Sequence, residues 1–237
     1  MLLLFDIDMT LTSTGGAGMR AMKAAVTRAF GDRFVPGEVP FAGRLDPLIL
    51  SDMLASSGLE ATPEQLRQVR VSYAQILSEQ LAQGDCHALP GVFALLAHLT
   101  GELARRPDLT LGLLTGNYEE TGRMKLRACG IDQSPFAVSA WGDESPHPAP
   151  KRADLVPIAI SRDAARRGRT LSPERVIIIG DTPHDVDCAK AHGCRVLGVG
   201  TGHSTPQELL ARGADHALPN LADTASVAGW LLSAPGA

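Results

Sequence analysis

Leu2-Leu3-Leu4-Phe5-Asp6-Ile7-Asp8-Met9-Thr10 decides the fold. Its apolar run has no basic residue before it and two aspartates directly after it, so it fails as a secretion signal. It is also far short of the roughly 20 apolar residues that a bilayer span needs. A continuous apolar run that stops at an acidic residue is the pattern of a strand buried on both faces. Comparable runs recur at Leu109–Leu114, Phe136–Ala140, Arg175–Ile179 and Arg195–Val199, with longer helical patterns between them. This alternation predicts an α/β fold with a parallel sheet covered by helices on both sides. In such sheets ligands bind beyond the carboxyl ends of the strands, so chemistry is expected just after each run.

Between residues 13 and 86 no strand-like run appears. Helical patterns cover Met19–Phe30, Pro47–Ser57 and Pro63–Gln83, the last with Leu66, Val69, Tyr73, Ile76, Leu77 and Leu81 at helical spacing. These residues read as a helical insertion lying over the carboxyl edge of the sheet, where it could close on a ligand. The expected division is an α/β core of residues 1–12 and 87–237 interrupted by residues 13–86. Gly142–Pro150, with three prolines, reads as a loop. The segment from about Leu221 to Ala237 reads as a last helix, with Trp230 in the core, ending in a frayed Pro-Gly-Ala.

With 237 residues, 44% hydrophobic, and 22 Lys+Arg against 26 Asp+Glu, the chain is neither disordered nor supercharged. A net charge of −4 gives no overall attraction to a phosphate backbone, so any phosphate must be held locally by a metal or a few cations. The expected partner is a small molecule, with neither nucleic acid nor membrane involved. Cys86, Cys129, Cys188 and Cys194 show no CxxC pairing and read as reduced thiols of a cytoplasmic protein.

Four places carry candidate chemistry. Asp6 and Asp8, two residues apart beyond a strand end, could hold a divalent cation, or act as nucleophile and proton carrier; they could equally be turn formers. Thr115-Gly116-Asn117 closes a second strand before a helix, offering a hydroxyl and backbone N–H groups to a phosphate oxygen, or simply a turn with Asn117 as cap. Lys151-Arg152 supplies cations before another helix. Gly180-Asp181-Thr182-Pro183-His184-Asp185 ends the third buried run; there Asp181 can reach a metal, Asp185 can support it, and Thr182-Pro183 can start a helix.

In this order the four motifs resemble the haloacid-dehalogenase-like hydrolase superfamily, in its phosphatase branch, from Leu2 to about Gly202. The resemblance implies a Rossmann-like core and a mobile helical cap inserted after the first motif. It makes Asp6 a nucleophile that forms an aspartyl-phosphate and Asp8 the acid and later the base. Thr115 and the Gly116 backbone would hold the phosphoryl group. Mg²⁺ would be bound by Asp6, the Asp8 backbone carbonyl and Asp181, with Asp185 supporting. The neutralising cation could be either Lys151 or Arg152; the expectation rests on Lys151. Met9 departs from the family pattern, which usually has Gly there. Phe41-Ala42-Gly43-Arg44-Leu45-Asp46-Pro47 resembles the family's G-[RK]-x-D cap segment, in which Arg44 would contact the substrate, although Asp46-Pro47 also reads as an N-cap and first turn. His87, His98, His147, His192 and His203 show no metal-ligand spacing and read as surface or packing residues.

Asp8 argues against carbon–halogen hydrolysis, because the family's dehalogenases lack that second acid. The expected activity is a Mg²⁺-dependent phosphomonoesterase acting on a small phosphate ester, with 2-phosphoglycolate the best single name and sugar phosphates and nucleoside monophosphates as rivals. A phosphomutase uses the same motif residues and stays open. A non-enzymatic interaction protein on this fold would have been free to lose its acids, and this chain keeps Asp6, Asp8, Asp181 and Asp185.

Overall fold

Along β1 (Leu2–Phe5) successive side chains go to opposite faces of the sheet, and neither face meets solvent. Leu3 and Phe5 enter one apolar cluster, with Ile177 and Ile179, while Leu2 and Leu4 enter the other, with Val176 and Ile178. That two-sided burial is why the run is continuously apolar instead of alternating. The structure is a computed structural model that describes residues 1–233, so the expected frayed Pro-Gly-Ala end lies outside the described residues.

In chain order, β1 is followed by β2 (Thr12–Ser13), α1 (Ala17–Phe30), α2 (Asp46–Ser56), α3 (Pro63–Gln83) and β3 (His87–Ala88). Then come α4 (Val92–Leu103), β4 (Thr110–Leu114), α5 (Glu119–Ala128), β5 (Phe136–Ala140) and α6 (Leu155–Arg167). The remainder is β6 (Val176–Gly180), α7 (Pro183–Lys190), β7 (Arg195–Val199), α8 (Pro206–Arg212), β8 (His216–Leu218) and α9 (Thr224–Leu231). Six strands form one sheet in the order β5-β4-β1-β6-β7-β8, and every pairing in it is parallel. This is a Rossmann-like α/β fold. The chain builds outward from β1 on one side and then returns to β6 on the other, so the carboxyl ends of β4, β1 and β6 meet at the switch point where such sheets bind ligands.

The segment between β2 and β3 forms its own apolar cluster, in which Met22, Val26, Phe30, Ile49, Met53, Tyr73 and Leu77 pack together. β2 and β3 pair antiparallel, drawing the two ends of the segment to one place. Burial follows the expected helical face of α3 at Val69, Tyr73, Ile76, Leu77 and Leu81, whereas Leu66 is exposed. At its start Thr62 and Gln65 form a capping box, with the Thr62 side chain accepting from the Gln65 N–H. Two differences concern short elements. β8 is three residues with half-buried side chains, and β2 and β3 are two residues each, too short to leave a periodic signal. At the other end of the chain, Trp230 is half-buried instead of enclosed; it stacks at 5.4 Å on His216, with the Arg195 guanidinium 4.3 Å from its ring centre. The cysteines are all unpaired thiols.

Met9 is the non-glycine residue with positive φ, at +54°, among the described residues. Its N–H donates to Thr12 at 2.8 Å and its carbonyl accepts from the Thr201 hydroxyl, so both ends of the strained peptide are tied. A left-handed conformation costs an L-residue about 1–2 kcal/mol, and glycine gives back about 0.5–1 kcal/mol as chain entropy. Met9→Gly is therefore expected to raise unfolding free energy by up to about 1 kcal/mol in urea titration.

Candidate active site

Asp6 follows β1 directly, and its N–H donates to the Ile179 carbonyl of β6 at 2.9 Å, which fixes the carboxylate at the sheet edge. Asp181 follows β6, and its Oδ1 accepts from the Thr10 hydroxyl at 3.2 Å. Asp185 lies in the first turn of α7, where Thr182 caps the helix: the Thr182 N–H and hydroxyl donate to Asp185 Oδ2 at 3.0 and 2.7 Å. Oxygens of Asp6, Asp181 and Asp185 come within 4.8 Å of one another, and all three residues are buried.

One cation sits among them. The Arg152 Nη2 is 3.0 Å from Asp6 Oδ1 and 2.6 Å from Asp185 Oδ1, and the side chain is only 6% exposed. The guanidinium also donates to the Leu114 carbonyl at the end of β4, at 3.4 Å, and to the Gly43 carbonyl of the helical segment, at 3.3 Å. One positive charge does not balance three carboxylates. Burial, reinforced by Asp185 and Asp8 and opposed by Arg152, lifts Asp6 to about 6; burial with Asp185 and Asp6 lifts Asp181 to about 8. A group of hard oxygen donors held in surplus negative charge is chemically suited to a divalent cation such as Mg²⁺. Both Asp185 oxygens are already bonded, one of them to Arg152, so a cation there could be held directly by Asp6 and Asp181.

Beside this cluster, Thr115 ends β4, and Asn117 Nδ2 donates to Thr115 Oγ1 at 2.8 Å and to Asp8 Oδ2 at 2.9 Å. Gly116 is packed so closely that a Cβ there would collide with the Arg44 carbonyl, and its own carbonyl accepts the Asp46 N–H at 2.7 Å. The loop of residues 41–46 is thereby docked on the motif loops. Gly43, at φ +68°, lies against Thr182 and His184, where a Cβ would meet His184 Cδ2 at 2.9 Å. Between the sheet edge and the helical segment lies a cavity of about 360 Å³, lined by Asp6, Asp8, Thr115, Arg152 and Asp181 below and by apolar side chains such as Met22 and Phe41 above. Its size suits a small metabolite.

A family model described as HAD-hydrolase-like matches residues 156–224. Among curated relatives, the phosphoglycolate phosphatase of Yersinia pestis is 25% identical over 92% of this chain and 89% of its own length. The tyrosine-protein kinase PtkA of Mycobacterium tuberculosis is 28% identical over 85% of this chain. The chain is similar to the haloacid-dehalogenase-like hydrolases. It spans 62% of the length of PtkA, so that relative carries sequence beyond what is matched. Among solved structures, CbbY from Rhodobacter sphaeroides in complex with phosphate has the same fold, with a TM-score of 0.71, 21% identity, and coverage of 94% of this chain and 95% of its own.

Two expectations need correction. Lys151, expected to neutralise the phosphoryl group, is exposed, and its backbone N–H donates to Asp154 at 2.7 Å; the adjacent Arg152 occupies the site instead. Adjacent residues leave a chain in different directions, and the short helical turn from Arg152 to Asp154 sends the second one inward. Asp46 does not cap its own helix, whose N-cap is Leu45. Its Oδ2 instead accepts the Tyr118 N–H at 3.1 Å at the start of α5, a helix whose own N-cap residue, Tyr118, provides no side-chain cap. His203 is exposed, as expected of a surface residue, and it also lines the cavity. Arg44 also lines the cavity, with its guanidinium paired to Asp52 at 2.5 Å. The Asp8 side chain points away from the three-carboxylate group, to Asn117 and to Lys125. Lys125 belongs to no motif. Its signal was its place on α5, where Thr121, Gly122, Lys125 and Leu126 share the buried face, because a charge on such a face needs a partner.

Asp46 is buried enough for its carboxyl to rise to about 7, an effect that Lys125 and the Tyr118 N–H only partly offset. An acid raised above its unfolded value of about 3.9 binds more protons folded than unfolded, so its ionisation removes stability as pH rises from about 4 through 7. Asp46→Asn is expected to gain on wild type between pH 5 and pH 8, by on the order of 2 kcal/mol, read from paired urea titrations at the two pH values. A pH-independent difference would show that Asp46 titrates normally.

Proposed function

We propose that the chain is a Mg²⁺-dependent phosphomonoesterase acting through an aspartyl-phosphate on Asp6. The observation that carries this reading is the convergence on Asp6: Arg152 at 3.0 Å, and carboxylates of Asp181 and Asp185 close enough to share a cation with it. An anionic nucleophile repels the phosphate it must attack unless positive charge stands beside both. Asp6 and Asp181 would hold Mg²⁺ with the Asp8 carbonyl, and the ion would neutralise charge on the transferring phosphoryl group. Arg152 supplies the fixed cation, held in place by Asp185. Thr115 and the Gly116 backbone offer donors to the phosphoryl oxygens, and Asp8 faces the cavity as proton donor to the leaving oxygen and then acceptor from water. Residues 13–86 serve as the cap over this site, with residues 1–12 and 87–237 as the catalytic core. Arg44 is the cap cation that lines the cavity.

2-Phosphoglycolate is the first substrate to test, because relatives named for that activity align over nearly the whole chain. A phosphate-release panel of 2-phosphoglycolate, sugar phosphates and nucleoside monophosphates, run with Mg²⁺ and with EDTA, is the decisive experiment. Release that depends on added Mg²⁺ and is lost by at least about 100-fold in EDTA is expected. Absence of metal-dependent release from every phosphomonoester would refute the enzyme reading.

A further inference from the structure

The Lys125 side chain is 5% exposed, and its ammonium lies 2.6 Å from Asp8 Oδ2 and 2.6 Å from Asn117 Oδ1. Asn117 Nδ2 donates to the same Asp8 oxygen at 2.9 Å. Two donors, one from α5 and one from the loop after β4, therefore converge on Oδ2. No hydrogen bond is made by Asp8 Oδ1 among the described residues, and the Asp8 side chain is 42% exposed toward the cavity. The ammonium itself sits in the seam with the helical segment. A Cβ on Gly18 of α1 would meet Lys125 Nζ at 3.1 Å and the Tyr73 hydroxyl of α3 at 3.6 Å, so the glycine leaves the ammonium its space between α1 and α3. Burial opposes its charge, yet Asp8 and Asp46 hold its pKa above the ordinary lysine value.

We propose that Lys125 is a positioning residue for Asp8, pinning Oδ2 so that Oδ1 is the oxygen that exchanges protons with the reacting groups. This rests on the phosphatase reading above. In the first half-reaction an Asp6 oxygen bonds to phosphorus, the ester P–O bond breaks with its electron pair on the ester oxygen, and the proton on Asp8 Oδ1 moves to that oxygen. The products are the alcohol, the aspartyl-phosphate and an Asp8 carboxylate. In the second, water attacks phosphorus and gives its proton to Asp8 Oδ1, while the Asp6–phosphorus bond breaks and releases phosphate. Oδ2 accepts from Lys125 and Asn117 in both states, so the carboxyl group need not turn between giving a proton and taking one.

The test compares leaving groups. p-Nitrophenolate departs without a proton, whereas the alkoxide of β-glycerophosphate needs one. Lys125→Met is expected to lower kcat on β-glycerophosphate by at least about 30-fold and on p-nitrophenyl phosphate by less than about 3-fold, with KM little changed on both. Equal losses on the two substrates, or none on either, would overturn the proposal. Should Lys125→Met not fold, Lys125→Gln, which keeps an N–H donor, carries the same comparison. Its expected loss is at least about threefold greater on the alkyl ester than on the aryl ester, and equal losses again overturn it. A wild-type protein inactive on both esters and on the whole phosphate panel would sink the phosphatase reading. In that case the crystal structure of Lys125→Met decides the positioning separately: Asp8 turned away from Asn117 supports it, and an unmoved Asp8 refutes it.

Discussion

Asp6→Asn is expected to abolish phosphate release while leaving the protein at least as stable as wild type. The amide cannot form the acyl-phosphate, so kcat should fall by about 10⁴-fold or more in a phosphate-release assay, as loss of a covalent nucleophile does elsewhere. Stability should move the other way, because Asp6 is a buried carboxylate whose ionisation is disfavoured by burial and by Asp185 and Asp8. Sign follows from that direction: with the folded value raised to about 6, ionisation of Asp6 removes stability as pH climbs from about 4 through 6. The metal-free variant should therefore unfold at a higher temperature than the metal-free wild type at pH 8, and the two should converge near pH 4. A catalytic group that costs stability is the ordinary trade at an active site. An Asp6→Asn protein that still turns over would remove Asp6 as the nucleophile.

Arg152→Met should be the most destabilising single change at the sheet edge. The guanidinium is bonded at once to Asp6, Asp185, the Leu114 carbonyl and the Gly43 carbonyl, so one substitution withdraws support from β1, β4, α7 and the helical segment together. Breaking a buried ion pair from one side leaves an uncompensated charge and typically costs about 3–5 kcal/mol; here two carboxylates lose their partner. Added Mg²⁺ should restore part of that loss by supplying the missing charge. Activity should fall by about 10²-fold or more even with saturating metal, since the fixed cation beside the phosphoryl group is gone. The neighbouring Lys151→Met, at an exposed position, should change stability by less than about 0.5 kcal/mol and turnover by less than about twofold. Urea titration and phosphate release on the two variants side by side separate the adjacent cations. Comparable losses from both would show that Lys151 reaches the site.

The core strands and motif loops were legible because each signal is local. Leu2–Phe5 and Val176–Gly180 are apolar at every position, and the acids that follow them fall at the strand ends whatever the rest of the chain does. Thr182-Pro183 starts α7 as its sequence predicts, because a cap and a first-turn proline act within a few residues. Arg152 was ambiguous for the opposite reason. It and Lys151 are equally cationic, and only the direction of one short helical turn selects between them. The partners of Asp46 and Lys125 were illegible, because Tyr118 and Asp8 lie 72 and 117 residues away from them; the buried face of α5 marks Lys125 as needing a partner without saying which. A carboxylate capping a distant helix leaves no mark in its own neighbourhood.

The sequence by itself determined the parallel α/β core, the helical segment between its first strands, and the four loops that carry the acids and hydroxyls, all through short-range pattern and strand burial. Tertiary structure decided which charges meet. The overall charge of −4 says nothing of this, because the site depends on a local sum: three buried carboxylates, one inward-turned guanidinium and, across Asn117, a lysine that faces Asp8. Charges interact over a few ångströms of low-dielectric interior, and only folding brings residues so far apart in the chain to that distance.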